Sequence, residues 1–371
     1  MNSGFEVEVI TSNRSCREPE KTFKGKAFHN GVKITRLWRP NFNQSSQGLS
    51  RLLNSLFLML NCWRICITRT PSFFISGTDP IFAFWSSLFW SFKKPRTKLI
   101  HWCYDLHPEG AVESGIASES SLKVRLTKLI CNYSYSKYDH IVDIGSCMRR
   151  RLKKYASLCD TGFSTIIPWA LFEPDEALEI CMPERQKFGN YNLVLMYSGN
   201  FGVFHEYKNI IALAEKLKNH NVCFLFSIRG NAASELKEFI PSTCHNVHFV
   251  DFAPYEKLNE RLSCADIHIV SLKKNFTGLA IPSKFFGSLA IGRPILFSGD
   301  DKSNIAEWIK EYNVGWCLND KNVNEIAEKI IGISKNPKTL KQHFIRSHDI
   351  YKQKFSKNKM DILWRNLLNN L

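Results

Sequence analysis

The chain has 371 residues, 44% of them hydrophobic and 23% charged, a composition that excludes a disordered or fibrous polypeptide and supplies enough apolar surface for more than one core. A net charge of +16 asks for a polyanionic partner: nucleic acid, an anionic membrane face or a phosphorylated small molecule. Twelve cysteines are too dilute for a disulfide scaffold and form no C-x-x-C pair, so they read as reduced thiols, with no zinc site expected.

From the amino end, "FEVEVITS" (5–12) alternates as a strand, and nothing in this opening looks like a secretory leader. "VKITRLW" (32–38), "SFFISG" (72–77), "KLIHWCYDL" (98–106) and "HIVDIG" (140–145) follow as strands, separated by amphipathic helical stretches such as 48–64 and 119–137. Two stretches are unusually apolar: "LLNSLFLMLNCW" (52–63) and "IFAFWSSLFWSF" (81–92), the second running into "KKPRTK" (93–98). Neither reaches the roughly 18 apolar residues of a spanning helix. An aromatic helix with a basic border suits a membrane interface, and it suits a buried helix of an α/β domain equally well. "RRRLKK" (149–154) with Lys123, Arg125 and Lys128 makes this half basic, although such runs are commonly solvated helix faces. No helix-turn-helix or zinc pattern accompanies them, which disfavours nucleic acid.

Residues 171–192 are acidic, hold two prolines and lack any strand pattern, the composition of a linker. Beyond it, "NLVLMYSGN" (192–200), "VCFLFSIRG" (222–230), "VHFVDF" (247–252), "DIHIVSL" (266–272) and "RPILFSG" (293–299) read as strands, with helices at 206–219, 232–239, 255–263, 282–291 and 302–312. Strand–helix alternation at this spacing predicts right-handed crossovers and parallel sheets. The expected architecture is α/β, with two doubly wound Rossmann-like domains: 1–172, a linker at 173–190, 191–336, and helices at 337–371 packing across the outside.

Open parallel sheets bind ligands at the carboxyl ends of their strands, so the loops after the second-half strands are the candidates. Gly199 and Gly202 flank a tight turn in "YSGNFG", where backbone N–H groups could approach a phosphate; G-x-x-G alone is equally a simple turn. "SIRGN" (227–231), with Arg229, ends at the same edge, and the proline turn of "DFAPYEKL" (251–258), from Phe252 to Pro254, could cup a flat base. In "GLAIPSKFFGSLAIGRPILFSGD" (278–300), Pro282 suits a first helical turn, and Ser283 and Lys284 then offer a hydroxyl and an ammonium to one anion. The bland alternative is a surface lysine at a helix start. Asp300-Asp301 reads as a helix cap before "KSNIAEW". In the first half, "YDLHPE" puts Asp105, His107 and Glu109 in a loop after a strand, and lone histidines such as His205 read as structural.

Together "YSGNFG…HEYKNIIALAEKL", "VHFVDFAPYEKLNERLSCADIHIVSL", "IPSKFFGSLAIGRPILFSGDDKSNIAEWIKEYNVGWCL", "GFEVEVITSN" and "YDLHPEGAVESG" resemble the family-4 glycosyltransferases of the GT-B fold, and among them the branch of bacterial O-antigen and capsule gene clusters. The resemblance implies two Rossmann-like domains facing across a cleft. It implies a nucleotide-sugar donor, UDP-activated, held by Gly199, Asn200, Gly202, Ser283 and Lys284 at the diphosphate, Phe252 at the base and Thr277-Gly278 at the sugar, with Arg229 beside them. It implies retention of configuration without a metal or other cofactor, Lys284 stabilising the leaving group, Asp105 orienting the acceptor hydroxyl or the transferred sugar and Glu109 holding the same loop. The acceptor is expected to be a polyprenyl-diphosphate-linked glycan at the inner face of the cytoplasmic membrane, the protein being cytoplasmic and membrane-peripheral. Two departures stand out: Leu279 and Gly287 occupy positions where much of the family has glutamates, and the family's first strand, glycine loop and helix have no counterpart before Gly4. A rival expectation follows from the second: a catalytically impaired remnant acting as a membrane partner in polysaccharide assembly.

Overall fold

A computed structural model describes the chain apart from residues 1–3, 16–17, 19, 41–48, 79–81, 95, 156–159 and 231. Ile81 of the aromatic stretch and Asn231 of the "SIRGN" loop therefore lie outside the described residues, as does Met1. The described chain forms two compact units, one of Met1–Asp143, Leu152–Thr165 and Arg365–Leu371, the other of Ile144–Arg151 and Ile166–Trp364.

In the first unit, β1 (Glu8–Ser12), β2 (Lys26–His29) and β3 (Val32–Leu37) form one sheet in the order β1-β3-β2. The β2–β3 hairpin turns through Asn30 and Gly31, both at positive φ (48° and 77°), the conformation that a two-residue hairpin demands. β4 (Phe73–Ser76), β5 (Lys98–Trp102), β6 (His140–Asp143) and β7 (Gly162–Thr165) form a second, wholly parallel sheet in chain order. Sequence reading anticipated neither β2 nor β7, nor the division into two sheets. Glu8 of β1 is ion-paired with Arg69, just before β4, and the rings of Phe5 and Phe73 meet edge to face at 6.1 Å, so side chains tie the two sheets where β1 and β4 begin. The aromatic stretch is not one helix: it breaks into the short turns Ala83–Ser86, Ser87–Trp90 and Ser91–Lys93, with Phe84 and Trp90 buried and Phe84 stacked on Tyr135 at 4.9 Å.

The second unit holds β8 (Leu193–Asn200), β9 (Val222–Arg229), β10 (Val247–Val250), β11 (Ile267–Ser271), β12 (Ile295–Ser298) and β13 (Gly315–Leu318), all parallel, in the order β10-β9-β8-β11-β12-β13. Helices Lys208–Lys216, Ala233–Phe239, Leu258–Ser263, Lys284–Ala290 and Asn304–Tyr312 fall inside the predicted ranges. Covered on both faces, the central strands are mostly apolar, and Leu193, Leu195, Ile267 and Ile295 have no exposed surface. The strand order reverses between β8 and β11.

The acidic segment 173–190 is packed onto this unit, for a reason its composition hides. Arg293, fully buried, donates to the carbonyls of Leu178 (2.7 Å) and Glu179 (3.3 Å) as well as Ser263 (3.0 Å), Ala265 (2.7 Å) and Ile291 (3.2 Å). Arg185 pairs with buried Asp266 at 2.7 Å, whose carboxylate also accepts from the Val194 amide. In the carboxyl-terminal segment, Tyr351, Phe355 and Met360 are buried, Phe355 lying against Phe285, Phe286 and Trp308.

Because one planar guanidinium serves five carbonyls, Arg293→Lys should leave most of them unpaired and lower the unfolding free energy by about 3 kcal/mol. Urea denaturation checks this; an unchanged midpoint would contradict the assignment.

Candidate active site

Ligands of open parallel sheets sit where the strand order reverses, because the crossovers leave on opposite faces and open a crevice at the carboxyl ends. Here that point lies between the end of β8, which is Gly199-Asn200, and the loop after β11, which leads through Thr277-Gly278 to Ser283-Lys284. Lys284 folds back across this point. Its ammonium lies 3.3 Å from the Asn200 carbonyl oxygen and 5.0 Å from the centre of the Tyr197 ring. Gly199 makes room for it: the residue has φ 130°, and a Cβ there would stand 2.5 Å from Lys284 Cε. Burial pushes the Lys284 ammonium down from lysine's usual 10.5 to about 8.

Main-chain donors are present in the two turns that Lys284 connects, the one after β8 and the start of its own helix. Among the described residues the N–H groups of Gly202, Val203, Ser283 and Lys284 make no hydrogen bond, whereas that of Phe201 is spent on the Arg229 carbonyl at 2.5 Å. Ser283 caps the helix Lys284–Ala290 without a side-chain bond, so its hydroxyl is open to solvent. Pro282 precedes the cap and does not occupy the first turn, and its carbonyl accepts from Phe285.

The turn is braced by residues that sequence reading assigned no part in the site. His205 Nε2 lies 2.9 Å from the Tyr197 hydroxyl, and Nδ1 lies 3.0 Å from the Ser271 carbonyl at the end of β11. Burial, then the Lys284 charge, pushes this imidazole down to about 4, so it is neutral and can donate from one nitrogen while accepting at the other. Glu206 accepts from the Lys208 amide (2.7 Å) and from the Ser298 hydroxyl, tying the helix after β8 to β12. The contacts to Ser271 and Ser298 connect residues far apart in sequence, and only the "H-E" after the glycine turn hints at them.

The neighbouring loops close on the same edge. The Arg229 guanidinium stacks over the Phe252 ring at 4.4 Å, forming a flat surface at the ends of β9 and β10. Thr277-Gly278 is held by Arg151, which donates to the Thr277 carbonyl at 2.7 Å and to that of Asn275 at 2.9 Å. Gly278 has φ 78°, and a Cβ there would stand 2.6 Å from the Cys147 carbonyl oxygen. The Thr277 hydroxyl is buried with no partner among the described residues. Leu279 is buried, while a side chain at Gly287 would enter open space. Asp300-Asp301 is not the helix cap: Ser303 caps Asn304–Tyr312, and Asp301 instead accepts from Asn319.

Asp105 and Glu109 belong to the first unit. Asp105 is exposed in the loop after β5. Glu109 opens a short helix and accepts the Tyr155 hydroxyl at 2.6 Å through Oε1, while Oε2 is buried with no partner among the described residues.

Residues 182–347 match the family Glycosyl transferases group 1. WbjE of Pseudomonas aeruginosa, named a probable glycosyltransferase, is 25% identical over 282 residues, covering 73% of this chain and 68% of that protein. WcaI of Escherichia coli strain K12, provisionally named a colanic acid biosynthesis glycosyl transferase, is 21% identical over 41% of this chain and 36% of its own length. Among solved structures, sucrose-phosphate synthase of Thermosynechococcus elongatus superposes with TM-score 0.71 at 13% identity over 100% of this chain and 91% of its own. HepE of Anabaena, solved with UDP, gives 0.62 at 12% identity over 92% and 86%. These structures share the GT-B fold.

The depressed Lys284 makes a signed prediction. Between about pH 8 and the usual lysine value the unfolded chain holds more protons than the folded one, so stability rises with pH through that window. Lys284→Met should flatten the rise in a pH series of thermal or urea unfolding.

Proposed function

We propose that this glycosyltransferase, whose second unit carries the group 1 domain, takes a sugar from a UDP-activated donor at the reversal point of its six-stranded sheet and passes it to a lipid-linked saccharide in surface polysaccharide assembly. The carrying observation is Lys284, laid on Gly199-Asn200 at a turn whose Gly202 and Val203 N–H groups make no hydrogen bond among the described residues. Breaking a glycosyl–phosphate bond puts growing negative charge on the departing diphosphate. A fixed ammonium, the Ser283 hydroxyl and preorganised N–H donors stabilise that charge without reorganising, and the reading needs no metal. Arg229 and Phe252 give the base a flat contact, and Thr277-Gly278 lies where the sugar would follow the diphosphate. The resemblance to family 4 supports retention of configuration, the acceptor hydroxyl attacking from the leaving-group face.

On this reading Asp105 orients the acceptor hydroxyl, and Tyr155 fixes Glu109 so that the free carboxylate oxygen points one way. The name of WbjE supports glycosyl transfer, that of WcaI a role in polysaccharide synthesis, and HepE, solved with UDP, supports the donor. With a lipid-linked acceptor, the enzyme works at the cytoplasmic face of the membrane as a peripheral protein; no helix among the described residues is long and apolar enough to cross one.

One observation favours a second reading. Among the described residues the first unit's strands fall into two sheets, with β1 at an edge of one and β4 at an edge of the other. On that reading the divided first unit leaves the protein a catalytically impaired, non-catalytic membrane partner in polysaccharide assembly.

Lys284→Ala should cut turnover about a hundredfold with an unchanged circular dichroism spectrum. Undiminished turnover rejects the diphosphate site. Calorimetry with UDP separates the two readings: binding that weakens above about pH 8 in the native protein, and not in Lys284→Met, supports the enzyme, and absent binding supports the partner.

A further inference from the structure

Two helices of the first unit expose apolar stripes with the same spacing. On Leu49–Thr68 the stripe is Leu56, Leu60, Trp63 and Ile67, between 41% and 61% exposed; on Leu122–Tyr135 it is Leu122, Leu126, Leu129 and Tyr133, between 56% and 79% exposed. Steps of four, three and four residues align each set on one narrow face, opposite the residues that the helix buries. Such a stripe normally seals a core.

The turns Ser87–Trp90 and Ser91–Lys93 lie between the two helices. Phe89 meets the Trp63 ring at 6.0 Å, Lys93 reaches the Ile67 carbonyl at 3.4 Å, and the Ser87 hydroxyl donates to the Ser134 carbonyl at 3.0 Å. Phe92, in the same turns, is 86% exposed. Segments 49–68, 83–94 and 122–135 contain no aspartate or glutamate, while Arg64, Lys93, Lys94, Lys123, Arg125 and Lys128 lie along them. Lys137 adds an ammonium over the Tyr133 ring at 4.3 Å. The nearby carboxylates of Glu119 and Asp139 are already paired, with Lys128 and Lys94.

We propose that this face docks on an anionic bilayer, its leucines and aromatic rings entering the interface and its lysines and arginines meeting acidic headgroups. Charge selects this occupant. A second copy would bring cations against cations with no carboxylate to offset them, and a nucleic acid would gain nothing from two leucine stripes. The inference rests on the peripheral-membrane part of the proposed function and adds the surface responsible.

The test is co-sedimentation of the full chain with vesicles of phosphatidylethanolamine, with and without phosphatidylglycerol. The native protein should pellet with the anionic vesicles, less so as salt rises. Leu126→Glu with Leu129→Glu should lower partitioning on the order of tenfold or more, and Lys123→Ala with Arg125→Ala should remove most of its salt-sensitive part. All four positions are outside the core, and an unchanged thermal midpoint verifies folding. Undiminished binding in either double variant, or equal binding to uncharged vesicles, overturns the proposal. So does a native dimer that the glutamate variant dissociates while neither protein binds vesicles, which assigns the face to a second copy. UDP calorimetry on the same samples keeps the two ideas apart: UDP binding without vesicle binding rejects only the membrane face, and the reverse rejects only the donor site.

Discussion

The contact on which the candidate site depends is that of the Lys284 side chain with the main chain of Gly199. Lysine is strongly hydrated and normally extends into water, yet here its terminal methylene fills the volume that any side chain at position 199 would need. The ammonium is left against one carbonyl and one aromatic face, with burial lowering its proton affinity. An anion arriving at the same place would restore the charge interactions that the folded chain has given up.

The surrounding structure holds that contact in place. His205 and Tyr197 fix the turn after β8 against the end of β11, and Glu206 anchors the following helix to β12. Below, Arg293 and Arg185 bind the acidic segment 173–190 to the sheet through carbonyls and one buried carboxylate. Burying two guanidiniums is costly unless every donor is matched, and both are matched chiefly by peptide oxygens. The position of the segment is therefore specified by hydrogen-bond satisfaction more than by apolar burial, which is why its composition reads as a linker.

The first unit is built differently. Its core is aromatic and partly polar, with Phe84 on Tyr135 and the hydroxyls of Ser87 and Ser134 bonded across the layer, and its strands divide between two sheets. Apolar residues that do not fit inside this core emerge as stripes on two helices. In sequence, buried and exposed portions of such helices look alike, since both repeat every three to four residues; this is why segments 52–63 and 81–92 suited an interface and a core equally well.

Local pattern alone was sufficient for the parallel second sheet, because strands buried on both faces are short continuous apolar runs punctuated by glycine and proline, and five of its six strands are legible that way. Short strands with mixed burial, β7 and β13, carry no such period, and β2 was signalled only by the Asn30-Gly31 turn. The loops bearing Gly199, Arg229, Phe252, Thr277 and Ser283-Lys284 could be named from their place after predicted strands. Which of them touch could not, since the strand order that brings β8 beside β11, the Arg229–Phe252 stack and the His205 brace all join residues distant in the chain. Those pairings are decided by which hydrogen bonds and packed surfaces can be satisfied together, a property of the folded arrangement and of no single segment.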